Sequence, residues 1–466
     1  MALSCYYFQA LAISALLAVL LCMYIKFWRL RNPLYLYPMD WPVVGMVPSL
    51  VARLHNIHDE LTAVLAASGC NFKAQGPLAS GMRFFVTADP TNVRHIFTSN
   101  HTNYPKGKEF ADIFDIVSGS IFTVDGEACP NDVPEHPGTM FQSILGNPRL
   151  LALMASNCRD KVANGFLPFL IRMASTRAPF DMQDLITRLV FDLTAMPIFG
   201  VDPGRLSKSM PSMHVATAMD TIMEVGLFRH TMPASFWKVM RRLNIGPERK
   251  LAVAHTVLHG FVKEMTEKRK DRRCADPSEV AGMDIISVLP VYSNELQLSK
   301  ILINYMIAGR DTVGTTLPWV FYNLAKNPRV VSCIRKELAL VASSKAIAGA
   351  PIAVRAGETI LISIYAMGRI EALWGKDCHE YRPERWLSED GTKLRYVPSH
   401  KFMAFNSGPR MCLVKDIAIT QMKTIVAAVV WNFDMEVVEG QSIEPKLSCL
   451  LQLKNGLMMM IKQRGM

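Results

Sequence analysis

The chain has 466 residues, of which half are hydrophobic and a fifth charged, with a formal net charge of +11. That balance supplies a sizeable core and excludes a disordered chain. A nucleic-acid binder needs a basic surface on a recognisable module. No such module occurs, so no nucleic-acid partner is expected, and the charge suits a membrane surface or an acidic protein partner.

In chain order, residues 6–25 (YYFQALAISALLAVLLCMYI) hold no charge. Twenty residues at helical rise span about 30 Å, the thickness of a bilayer's hydrocarbon core. Lys26, Arg29 and Arg31 follow the apolar run. A cleavable leader would instead begin basic and end at small residues. The expectation is one N-terminal transmembrane helix with the bulk of the chain cytosolic. Residues 1–31 are thus an anchor with its basic flank, and 32–50, with Pro33, Pro38, Pro42 and Pro48, a stiff proline-rich hinge. The remaining 51–466 form one body.

Within that body, NFKA and FFVT (72–87) read as short strands, followed by a helix with Asp89 as cap and Pro90 in its first turn. From 147 to 270 apolar residues recur at helical spacing. The basic run KEMTEKRKDRR (263–273) reads as a solvated helix end. A long helix is predicted from about Leu296 to Ala325, with Pro318 expected to kink it. ETILISIY (358–365), NFDMEVVEG (432–440) and LLQLKNGLMMMIK (450–462) read as strands, the last with a hairpin turn at Asn455-Gly456. The fold class is therefore mainly α with a minor β portion. No repeat or low-complexity segment divides it.

Ten cysteines fall at 5, 22, 70, 129, 158, 274, 333, 378, 412 and 449. Their spacing suggests neither a zinc site nor a disulfide framework, and most are expected to be buried and reduced. Cys412 stands apart. In FNSGPRMC (405–412), Gly408 permits a tight turn, Pro409 stiffens it, and Arg410 puts a fixed positive charge two residues before the sulfur. The helix predicted to follow aims its positive end back at Cys412, and each feature favours thiolate. A thiolate in a stiff turn suits axial ligation of haem iron.

Two further segments carry candidate roles. AGRDT (308–312) sits mid-helix: Ala308 and Gly309 offer a small face for a flat cofactor, and Asp311 and Thr312 offer an acid and a hydroxyl for proton relay. Such hydroxyls also bond back to their own helix carbonyls, so alone the pattern is weak. YRPERW (381–386) reads as a structural loop in which Arg385 anchors the meander before the cysteine loop.

In this order, AGRDT, PERW and FNSGPRMC behind an anchor and a proline hinge resemble a microsomal cytochrome P-450. DIFDIVSGSIFTVDGE, RAGETILISIYAMGR and WGKDCHEYRPERW look closest to the plant clan of fatty-acid ω-hydroxylases, alkane hydroxylases and noroxomaritidine synthase-like enzymes. The resemblance implies a haem b monooxygenase that splits O₂ and inserts one atom into a C–H bond of an apolar small molecule. It implies an NADPH-dependent flavoprotein reductase as electron donor and residence in the endoplasmic reticulum membrane. By this resemblance Cys412 ligates the iron, Phe405, Gly408, Arg410, Ala308 and Gly309 contact the haem (Arg410 through a propionate), and Asp311 and Thr312 deliver protons.

Three departures surround the cofactor. The family's Glu-x-x-Arg helix, which locks onto the Arg of the PERW-type motif, has no counterpart from 330 to 411. Between Lys345 and Val354 only AIAGAPIA remains, too short for a helix of normal length. Cys129 and Val133 stand where the family's propionate-binding Trp and Arg are expected, among Pro130, Pro134 and Pro137. Val414 replaces the glycine usual two residues after the ligand.

Overall fold

The computed structural model describes the chain from residue 41 onward, apart from 42, 79, 118–122, 124–143, 276–283, 290–294, 339–358, 389 and 466, together with a few residues between 14 and 24. Most of the anchor and of the hinge, the 125–133 stretch and the shortened 345–354 segment lie outside the described residues. Among those described, no helix is long and apolar enough to cross a membrane.

The strands are β1 (Asn71–Gln75), β2 (Arg83–Thr87), β3 (Phe180–Asp181), β4 (Thr359–Ile362), β5 (Phe433–Val437) and β6 (Met458–Gln463). The helices used below are α1 (Ile57–Ala67), α2 (Pro148–Lys161), α3 (Met182–Phe199), α4 (His214–Thr231), α5 (Ala234–Leu243), α6 (Gly246–Ala275), α7 (Glu295–Lys326), α8 (Pro328–Leu338) and α9 (Lys415–Asn432). Two compact units emerge, Met1–Val93 with Pro351–His379, and Arg94–Ala350 with Glu380–Met466.

The first unit is built on a sheet of order β1-β2-β4, with β1 antiparallel and β4 parallel to β2. The strand predicted at 358–365 ends at Ile362, because Ser363 turns the chain and caps the short helix Ile364–Met367 through Ala366 N–H. Tyr365 on that helix donates to Asp59 of α1 at 2.6 Å, and Arg369 stacks 3.6 Å over its ring. The hinge's last residues are helical after all: Val47–Arg53 is a helix with Pro48 in its first turn, where a missing N–H costs nothing.

The second unit is mainly helical, with a sheet of order β3-β6-β5. Its core centres on α7, which packs along α3 and against α9. One buried cluster joins α3, α4, α6 and the first half of α7 through residues such as Phe191, Met219, Phe261 and Leu302. The other joins α2, α3, the second half of α7, α9 and the sheet through Leu189, Phe321, Val429 and Ile461. The helix runs without interruption through Pro318. The Asn455-Gly456 turn is present, with Gly456 at φ +75°, yet it closes no hairpin of its own. Leu457 N–H instead donates to Asp181 and β6 pairs with β3 and β5, while Leu453 bridges Pro445. In the basic run, Arg269 and Arg273 both bind the buried carboxylate of Asp284, so part of that charge is structural.

Candidate active site

The cysteine loop is fixed by backbone geometry. Gly408 has φ +58°, and a Cβ there would lie 1.9 Å from the Phe97 carbonyl oxygen. Conformation and space therefore both demand glycine. Cys412 N–H donates to the Phe405 carbonyl at 2.8 Å, closing the turn. Arg410 lies with its guanidinium 5.8 Å over the Phe97 ring and donates to the Tyr104 carbonyl at 2.5 Å. Arg410 thus makes structural contacts that sequence reading missed, beside the propionate role that the resemblance implies. Lys415 stands 5.7 Å over the Phe405 ring.

Cys412 is half-buried between the exposed side chains of Met411 and Leu413, three residues before α9. Val414 is the N-cap of α9 at φ −110°, a conformation any residue adopts, so valine meets no backbone conflict there. The described cysteines are free thiols, but only Cys158 among them is well buried. Cys70 and Cys378 are half-buried, and Cys274 and Cys333 are exposed, contrary to the expectation that most pack as core.

Helix α7 has two unlike faces at AGRDT. Residues 301–307 are buried, then Ala308 and Gly309 are half-buried and Thr312 and Thr316 exposed, although the surrounding positions are core. This stripe of small and hydroxyl residues repeats at helical spacing. Thr312 Oγ1 donates back to the Ala308 carbonyl at 2.8 Å, and Thr316 to Thr312 at 2.9 Å. Gly309, at the stripe's edge, also has a structural reason to be glycine: a Cβ there would lie 2.5 Å from the Thr194 methyl, so glycine sets the approach of α7 to α3.

Asp311 does not share the exposed stripe. It is 1% exposed and its Oδ1 accepts from Arg310 Nη1 at 2.7 Å. Arg310 is held in turn by Asp220 of α4 at 2.5 Å. Burial raises the Asp311 carboxyl to about 6, against the pull of Arg310 and with help from Asp220. In YRPERW, Arg385 donates to the Glu380 carbonyl at 3.3 Å. Glu384 forms a bidentate pair with Arg329 at the start of α8, which holds its carboxyl down at about 2.

A haem fits these residues in its donor and its seat. A cysteine sulfur stands in a turn stiffened by Gly408 and Pro409, and a helix of the core interrupts its burial with Ala308, Thr312 and Thr316.

The sequence profile of the family "Cytochrome P450" matches residues 144–348 and 341–461. This protein is a cytochrome P-450. Noroxomaritidine synthase of Narcissus aff. pseudonarcissus MK-2014 is 32% identical over 481 positions, covering 92% of this chain and 91% of the relative. Alkane hydroxylase MAH1 of Arabidopsis thaliana is 32% identical over 490 positions, covering 96% and 97%. Cytochrome P-450 86B1 of the same plant is 32% identical over 508, covering 96% and 90%. Members of the family are monooxygenases that bind haem b iron through a cysteine thiolate.

The same comparisons show that this chain is shorter than its relatives over the matched region. Ninety-two per cent of 466 residues is about 429, against 481 aligned positions, so about fifty positions of the Narcissus enzyme have no counterpart in this cytochrome P-450. The two profile matches overlap at 341–348.

Proposed function

We propose that this cytochrome P-450 hydroxylates C–H bonds of a long-chain fatty acid or alkane, with haem b held by Cys412. The observation that carries the reading is the Cys412 turn together with the exposed Ala308–Thr312–Thr316 stripe in an otherwise buried helix. The apolar substrate class is supported by the name of the Arabidopsis relative and by the aromatic cluster of Phe110 and Phe114 beside α4.

When bound, the haem iron supplies O₂ activation, helped by thiolate electron donation. The chain's own residues do the rest. Gly408 and the Phe405 carbonyl orient Cys412. Phe405, Arg410, Ala308 and Gly309 would flank the bound cofactor. Thr312 offers a hydroxyl on the stripe, and Asp311, near neutrality in its proton affinity, holds a proton for it. Electrons come from an NADPH-dependent flavoprotein reductase, whose acidic face would meet the net positive charge. The apolar run at 6–25 anchors the chain once in the endoplasmic reticulum membrane, lipid on one side of a proline-rich hinge and the catalytic body cytosolic on the other.

The missing brace helix and the Cys129, Val133 and Val414 departures favour a second reading, a membrane-anchored relative that has lost haem and turnover. One experiment separates the two. The full chain is expressed in a membrane host and its reduced, carbon-monoxide-bound spectrum recorded. Wild type is expected to show a thiolate-type Soret band that Cys412→Ala abolishes, and to place ¹⁸O from ¹⁸O₂ into palmitic acid or hexadecane when reductase is added. Folded protein without haem establishes the second reading instead.

A further inference from the structure

Away from the candidate active site, α6 presents two histidines four residues apart, His255 and His259. That spacing sets side chains one above the other on a single face of a helix. Their ring centres lie 4.1 Å apart, with the planes tilted by 53°. The pair stands at the edge of the core: Leu251, Ala254 and Leu258 are buried, Thr256 and Gly260 are exposed, and the two histidines are half-buried. A dissolved ion can therefore reach the pair.

The two rings are held unequally. His259 Nδ1 is hydrogen-bonded at 2.6 Å to the hydroxyl of Ser299, a buried residue in the second turn of α7. Its Nε2 is shielded from solvent and has no hydrogen-bond partner among the described residues. A polar atom left in that state is costly, and a ring nitrogen becomes a metal ligand when the other one is occupied. Binding at Nε2 puts the ring proton on Nδ1, where the Ser299 oxygen accepts it, so the bond that orients the ring also raises its basicity. His255 makes no hydrogen bond among the described residues, which leaves its ring able to turn toward a shared ion. Two charges bear on the pair. Lys300 opposes a cation at both rings, while Asp115 favours one at His255, although it already pairs with Arg229 and Arg241.

An imidazole nitrogen binds a first-row divalent ion at about 2.0–2.1 Å, which places the ion about 3.2 Å from the ring's centre. Two rings 4.1 Å apart then subtend about 80° at an ion they share. That is close to the right angle of square-planar and octahedral sites and well below the tetrahedral angle of structural zinc. We propose that His255 and His259 form a two-nitrogen site for a divalent transition-metal ion of tetragonal preference, Cu(II) or Ni(II), with water in its other positions and Ser299 as its positioning residue. Among the described residues no third histidine, cysteine or carboxylate completes the set, so the site is exchangeable rather than permanent. The ion ties the middle of α6 to the second turn of α7 through Ser299. Because only the folded chain brings the two rings and Ser299 together, binding stabilises it by mass action.

The test is equilibrium dialysis of the untagged full chain against Ni(II), with bound metal counted, and electron paramagnetic resonance of the chain loaded with Cu(II). Wild type should retain one equivalent of nickel, and the copper spectrum should show two equatorial imidazole nitrogens once the spectrum of the metal-free sample is subtracted. His255→Ala and His259→Ala should each weaken Ni(II) binding by about tenfold or more, and Ser299→Ala by about tenfold. Lys300→Gln, which removes the opposing charge, should tighten it about fivefold. His214→Ala, at an exposed histidine of α4 outside the pair, should leave it unchanged. Unfolding midpoints without metal establish that each variant is folded. A retained equivalent that survives the loss of both histidines, a wild type that retains none, or binding unmoved by Lys300→Gln overturns the inference. None of these readouts uses turnover, so failure of the monooxygenase reading would show in the carbon-monoxide spectrum and leave this result standing.

Discussion

The cysteine loop and the AGRDT turn of α7 carry the two halves of the proposed chemistry, and they are held in opposite ways. The loop is fixed by main chain: a left-handed glycine against the Phe97 carbonyl, an amide on Phe405, and an arginine on the Tyr104 carbonyl. The AGRDT turn is fixed by side chains: Asp220 reaches in from α4 to Arg310 and is itself held by Gln452 of the segment before β6. Backbone constraints tolerate almost any neighbour but no change at the constrained residue. Side-chain constraints spread the dependence over several positions, each replaceable at moderate cost.

Substitutions can break that contrast. The largest effect is expected at Gly408→Ala, where the new carbon overlaps the Phe97 oxygen and the backbone is left-handed, at a cost of about 3 kcal/mol or more. Urea unfolding measures it, with loss of the thiolate-type Soret band as the second readout. Gly309→Ala should cost about 1–3 kcal/mol, since Thr194 must move. Gly314→Ala, five residues along the same helix, should instead stabilise by about 0.5–1 kcal/mol through helix propensity alone. Opposite signs in one helix would sharpen the distinction between its faces, and equal signs would break it.

The pH dependence gives a finer test. Folding raises the Asp311 carboxyl from the ordinary 3.8 to about 6. Its contribution to stability is therefore fully present below pH 3.8, lost as pH rises through about 6, and constant above that. Asp311→Asn should flatten the thermal-stability profile between those values, by up to about 1.4 kcal/mol per pH unit. The smallest effect is expected at Arg329→Ala. Glu384 is held at about 2 by this arginine, so the pair's contribution is present above the ordinary glutamate range and lost as pH falls through about 2. Because Arg329 is exposed, the unfolding midpoint at neutral pH should barely move.

What was legible in the sequence follows the same divide. The loop's turn residues, the strands near 72–87 and the extent of α7 could be read directly, because local backbone preferences and apolar spacing are written in contiguous residues. The hairpin at Asn455-Gly456 could not, because the residues after the turn find better partners in β3 and β5. Asp220, Gln452 and Thr194 were missed, as nothing local marks a partner so distant in the chain. One signal did point to them. Arg310 lies inside AGRDT on a helix with a buried run before it, and a buried guanidinium requires acceptors. Arg310 stands directly before the acid and the hydroxyl.

The Gly309–Thr194 seat has a mechanical consequence. With only the Thr194 side chain between the two helix backbones, there is little to compress in that joint, and α7 has little travel toward α3. A displacement of the Thr312 stripe is therefore passed to α3, and the two helices shift together rather than past one another.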